Sequence, residues 1–108
     1  MTDTIPELIE KILAHDAMTD ELRARLLAGH NVGCTRYDEW KRNSLDAFCL
    51  RCGDWLWEKC HEISLCALED GYAVGAFYNN TAIDGYGPTK NHARLSAMLA
   101  ALDAKGGE

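Results

Sequence analysis

A chain of 108 residues with 17 acidic side chains against 11 Lys and Arg has a net charge of −6. That balance argues against direct binding to nucleic acid or an anionic bilayer, both of which need a basic surface. The length suffices for one domain over residues 1–108 with a core that needs no metal or disulfide. No apolar run approaches the roughly 20 residues that span a bilayer.

The start, MTDTIPELIEK, lacks the basic and apolar regions of a signal peptide. A cytoplasmic location with reduced thiols is therefore expected. Thr4-Ile5-Pro6-Glu7 is a capping box with proline in the first turn. It predicts a helix with Leu8, Ile9, Ile12 and Leu13 facing inward, stopping near His15-Asp16. Thr19 with Asp20 and Glu21 opens a second short helix with Leu22, Leu26 and Leu27 inward, ended by Gly29. The pair forms a helical hairpin. Its acidity and lack of a basic cluster count against a DNA-reading helix-turn-helix.

Gly33 punctuates a loop from His30 to Thr35, and Thr35 with Asp38 marks the next helix start. Trp40 is out of phase with the apolar positions that follow, which predicts a break near Asn43-Ser44. From Ser44 to Asp70 the periodicity reads as one long central amphipathic helix, with Ser44 as N-cap and Gly71 as its stop. At roughly 100° per residue, Leu45, Phe48, Cys49, Cys52, Trp55, Leu56, Cys60, Ile63, Cys66 and Ala67 share a face. Asp54, Glu58, Glu62 and Glu69 lie opposite, as a helix packed on a core requires. Leu50, Trp57 and Leu68 add a second apolar stripe, suited to a partner or to self-association. Gly53 is out of character, costing about 1 kcal/mol against Ala in a helix interior.

Beyond Gly71 the period falls to two. Tyr72–Tyr78 reads as a strand, Asn79-Asn80 as a tight turn able to take positive φ, and Thr81–Asp84 as the returning strand. Gly85-Tyr86-Gly87-Pro88 is a loop. Thr89 or Asn91 then caps a C-terminal helix to about Ala104, with Leu95, Met98, Leu99 and Leu102 inward. The expected class is α+β and predominantly helical: a helical hairpin, a central helix, one β-hairpin and a C-terminal helix.

Three constellations could carry chemistry. Cys49-Leu50-Arg51-Cys52-Gly53 has the C-x-x-C-G form of a zinc knuckle. Zinc wants four ligands in a tetrahedron, and His30, Cys34, Cys49 and Cys52 are the set that could supply them. The competing reading makes the clustered cysteines small hydrophobes in a core. Cys60-His61 are sequence neighbours but diverge by roughly 100° on a helix, which does not align a nucleophile with its base. Lys90, His92 and Arg94 follow the Gly85–Pro88 loop at a helix N-terminus, where an anion or small anionic substrate could bind. The spacing is not that of a Walker loop.

The reading that follows is a non-enzymatic, acidic protein-binding module. Its contact residues would be Asp54, Glu58, Glu62, Glu69 and Trp57, and its partner a protein with a basic surface. By analogy of size and charge alone, such a domain could occupy a nucleic-acid-binding groove, as phage-encoded inhibitors of the anti-CRISPR kind do. A zinc-stabilised adaptor and an anionic-ligand site or enzyme at Gly85–Arg94 are the alternatives. A homodimer through the Trp57 stripe or the hairpin edge is a further expectation.

Overall fold

In a computed structural model, residues 4–27 and 37–106 are described, the side chains of 37–46 excepted. The order is α1 (Ile5–Leu13), α2 (Asp20–Leu26), α3 (Tyr37–Lys59), β1 (His61–Leu68), β2 (Gly71–Tyr78), β3 (Thr81–Gly87) and α4 (Lys90–Gly106). The class is an α+β mix, with helices on one face of an antiparallel sheet of strand order β1-β2-β3. Among the described residues no helix is long and apolar enough to cross a membrane.

The two N-terminal helices start where their sequence advertises, and α1 packs on α4 while α2 packs on α3. Thr4 and Thr19 accept hydrogen bonds from the Glu7 and Leu22 amides at the two helix starts, and Pro6 sits in the first turn. Leu8, Ile12, Leu22 and Leu26 are buried. Basic side chains satisfy the carbonyls that helix ends leave open: Arg23 Nη2 donates to Leu13 O at 2.8 Å and Arg51 Nη1 to Leu26 O at 3.4 Å. His15 ties the hairpin to α4. Its Nδ1 accepts from the Ala17 amide at 3.0 Å, so Nε2 carries the proton that faces Asp103 Oδ1 at 2.6 Å.

The central segment departs from expectation in two places. Helix α3 runs unbroken through Asn43-Ser44, so Ser44 is not a cap. It then ends at Lys59 instead of Asp70; Cys60 N donates to Leu56 O at 2.8 Å, and residues 61–68 form β1. Short apolar runs fit a period of 3.6 or of 2 almost equally well, and pairing decides the case. Leu65 lies opposite Val74 and Ala67 opposite Tyr72, giving β2 a neighbour on its second side. A two-stranded hairpin would have been marginal in water. Glu62, at φ 55°, and a register shift between His61 and Ser64 make the irregular entry into the strand.

The turn at Asn79-Asn80 behaves as its residues predict, with φ of 48° and 65°. Strand β3 continues to Gly87, so the expected Gly-rich loop is mostly sheet. Val74 and Ala76 of β2 pair with Gly85 and Ile83 of β3 on the inner face, which α4 covers. Gly85 is what permits that contact. A Cβ there would collide with the Ala97 amide nitrogen and the Ala93 carbonyl oxygen.

On α4, Ala93, Ala97 and Ala101 recur every fourth residue and are fully buried, beside Leu95, Met98 and Leu102. This alanine stripe lets the helix lie close to the sheet. Packed also on α1 and α3, α4 is the hub, whereas the sequence assigns that role to the Ser44–Asp70 segment. Trp55 closes the far end of the core, its ring stacked on Tyr78 at 5.9 Å.

Candidate functional site

Helix α3 shares the inner face with α4 but leaves the edge strand β1 largely uncovered. Between them lies a groove of about 290 Å³ lined by Leu50, Gly53, Asp54, Leu56, Trp57, Ile63, Leu65, Val74 and Arg94. Leu56 and Val74 are buried and belong to the core. The outer lining is open: Trp57 is 73% exposed, Leu50 56% and Leu65 42%. Leu50, Gly53, Asp54 and Trp57 follow the i, i+3, i+4, i+7 spacing of one helix stripe, and Leu50, Asp54 and Trp57 stay exposed.

Arg94 enters this groove from α4. Its stem crosses α3 at Gly53, where an added Cβ would meet Arg94 Cδ at 3.5 Å and Nε at 3.7 Å. Arg94 Nη1 donates to Asn91 Oδ1 at 3.0 Å, and the guanidinium pairs with no carboxylate among the described residues. Asp54 is exposed and feels the field of Arg25, yet forms no ion pair among the described residues. One apolar hollow thus carries an acid and a base that do not neutralise each other.

The sequence-expected contact set is divided by the fold. Trp57 and Asp54 stand together at the groove. Glu58 is held by the Arg25 guanidinium, whose hydrogen bond and charge keep its carboxyl below the usual range and raise the Arg25 pKa in return. Glu62 has left the helix for the bulge of β1, and Glu69 lies in the turn before β2. The acidic line Asp54–Glu58–Glu62 at helical spacing therefore does not exist.

Three of the thiols read as core are core. Cys49 and Cys52 are fully buried and Cys60 nearly so. Burial, with a smaller contribution from neighbouring Cys49, pushes the Cys52 thiol well above its ordinary range, and burial raises Cys60. A nucleophile needs the thiolate, which this setting disfavours. His30 and Cys34 lie outside the described residues. Cys66 departs from expectation: it projects from the outer face of β1, exposed, in register with Ala73 and, across the sheet, Tyr86.

The three cationic residues after the Gly85–Pro88 segment do not converge. Lys90 Nζ sits 5.8 Å from the Tyr72 ring centroid, His92 Nδ1 is 2.6 Å from Thr89 Oγ1, and Arg94 turns into the α3–β1 groove. The Thr89 hydroxyl already caps the His92 amide at 3.2 Å, which removes one of the donors an anion would use.

Sequence reasoning missed Leu65, Ile63 and Arg94 as groove residues. No signal in the sequence singled out Arg94: its stem lies over Gly53 at a distance that a larger residue would also tolerate. Comparison with protein-family models, curated proteins and solved structures finds no match to this chain.

Proposed function

We propose that this chain is a protein-binding module that docks through the groove between α3 and β1, with Trp57 as its anchor. One observation carries the reading. A tryptophan 73% exposed stands beside two exposed leucines at the mouth of a single apolar hollow. Exposed apolar groups scattered singly need no explanation, but a contiguous patch rimmed by charge marks an interaction surface, and tryptophan is enriched among residues that dominate binding. Enzymatic chemistry is the poorer fit, since the described thiols at Cys49, Cys52 and Cys60 are buried and the cationic side chains of α4 diverge.

A second reading keeps the acidic surface as the contact and a basic groove on the partner as its target, the inhibitor reading. The net charge of −6 and the exposed Asp54, Glu62 and Glu69 favour it; the engagement of Glu58 by Arg25 and the departure of Glu62 from the helix weigh against it. The test of the first reading is photo-crosslinking in host extract, with benzoylphenylalanine placed at position 50 and, as a control, at position 23. A discrete protein adduct from position 50 that is lost on Trp57→Ala supports groove docking. Adducts that are identical from both positions, or none from position 50, reject it. Adducts that survive Trp57→Ala but vanish in high salt or on charge reversal at Asp54, Glu62 and Glu69 favour the acidic surface instead.

A further inference from the structure

Taking the groove as the docking surface, we infer that its occupant is a second copy of this chain, seated about a two-fold axis. The face is self-complementary. In an isologous pair the same patch is used twice, so whatever residue i meets at j, residue j meets at i. A face fit for such pairing must carry both a projection and a hollow, and both members of any ion pair.

This one does. Trp57 projects from the rim, and the hollow of about 290 Å³ beside it has room for one large aromatic side chain. Asp54 and Arg94 line the same hollow, and among the described residues neither forms an ion pair with an opposite charge of its own chain. Placing two copies face to face brings Asp54 of each to Arg94 of the other, and Trp57 of each to the wall formed by Leu50, Ile63 and Leu65. The arginine retains donors beyond the one used on Asn91, enough for a bidentate carboxylate contact.

The other open apolar surface lacks this property. The outer face of the sheet exposes Leu68, Phe77 and Tyr86, but Asp84 is its one charged side chain within the paired strand registers, so a facing copy would oppose like charges. The outer face offers no reason to choose a second copy; the groove does.

The experiment is sedimentation equilibrium of the full chain across micromolar to millimolar concentration, with charge exchange at the two positions. Wild type is expected to dimerise. Asp54→Arg alone and Arg94→Asp alone each place like charges together twice per dimer and should weaken association about tenfold or more. An equimolar mixture of the two variants pairs a copy bearing two bases with a copy bearing two acids, and should restore dimers as heterodimers. Because both variants must be folded to do so, the mixture also controls for misfolding.

A wild type that stays monomeric throughout, or a mixture no more associated than its components, overturns the inference. Crosslinking from position 50 separates that outcome from failure of the docking reading. An adduct of twice the chain mass supports the second copy. An adduct with a different protein overturns the second copy and leaves the groove a docking site, and no adduct rejects both.

Discussion

At the scale of single residues, two glycines in regular elements respond oppositely to a methyl group. Gly53 lies inside α3, where the added Cβ meets the flexible Arg94 stem at ordinary van der Waals distance. Gly53→Ala should therefore raise stability by about 0.5–1 kcal/mol, the helix-propensity difference, visible as a higher melting temperature. Gly85 faces helix backbone that cannot step aside, so Gly85→Ala should cost about 3 kcal/mol by forcing α4 off the sheet. A Gly85→Ala variant as stable as wild type would show that α4 does not pack where described.

The thiols supply a pH test at the same scale. Burial raises the Cys52 pKa in the folded chain above its unfolded value. Its contribution to stability is thus complete below the ordinary thiol pKa of about 8.5 and declines as pH rises beyond it, because the unfolded chain then ionises and the folded one does not. Denaturant titrations from neutral to alkaline pH should show a falling limb that flattens in Cys52→Ala. An unchanged slope would assign the alkaline loss to another group.

Among the elements, the N-terminal helices are tied to α4 in part by the His15–Asp103 hydrogen bond and the contact of Lys105 Nζ with Ala17 O at 3.3 Å. His15→Ala removes both the bond to Asp103 and the acceptor for the Ala17 amide. A loss of about 1 kcal/mol is expected, with hydrogen exchange quickening in the α1–α2 hairpin and holding steady in β2, the central strand. Uniform quickening would mean the hairpin unfolds only with the whole domain.

The element that sequence reading mistook is β1. Ile63, Leu65 and Ala67 alternate with Ser64, Cys66 and Leu68, and the same residues also satisfy a helical face. The strand is selected by an unmet demand elsewhere: β2 needs a second neighbour, and only the segment ahead of it is short enough in connection to supply one.

For the whole molecule, that reassignment moves Cys66 from the core to the open face of the sheet. A native-state alkylation experiment should modify Cys66 readily and leave Cys49, Cys52 and Cys60 unreacted until unfolding. Protection of Cys66 in the native protein would indicate that the outer sheet face is covered in solution. Charge acts at this scale too. Six net negative charges per copy oppose self-association, a repulsion that salt screens over a Debye length of about 8–10 Å, while the Asp54–Arg94 contacts act at short range.

Local chemistry alone determined the helix starts at Thr4 and Thr19, narrowed the last one to Thr89 or Asn91, and gave the Asn79-Asn80 turn, the inward faces of α1, α2 and most of α4, and the burial of Cys49, Cys52 and Trp55. Caps, turns and periodicity depend on residues within a few positions of one another, so they can be read from a line of letters. Tertiary structure alone decided where α3 stops, that α4 is the hub, and that Arg94 and Trp57 share a hollow with Asp54. Those outcomes rest on strand pairing, on close approach at Gly85 against Ala97 and on contact between residues distant in the chain such as Gly53 and Arg94, and no local period records who will lie across from whom.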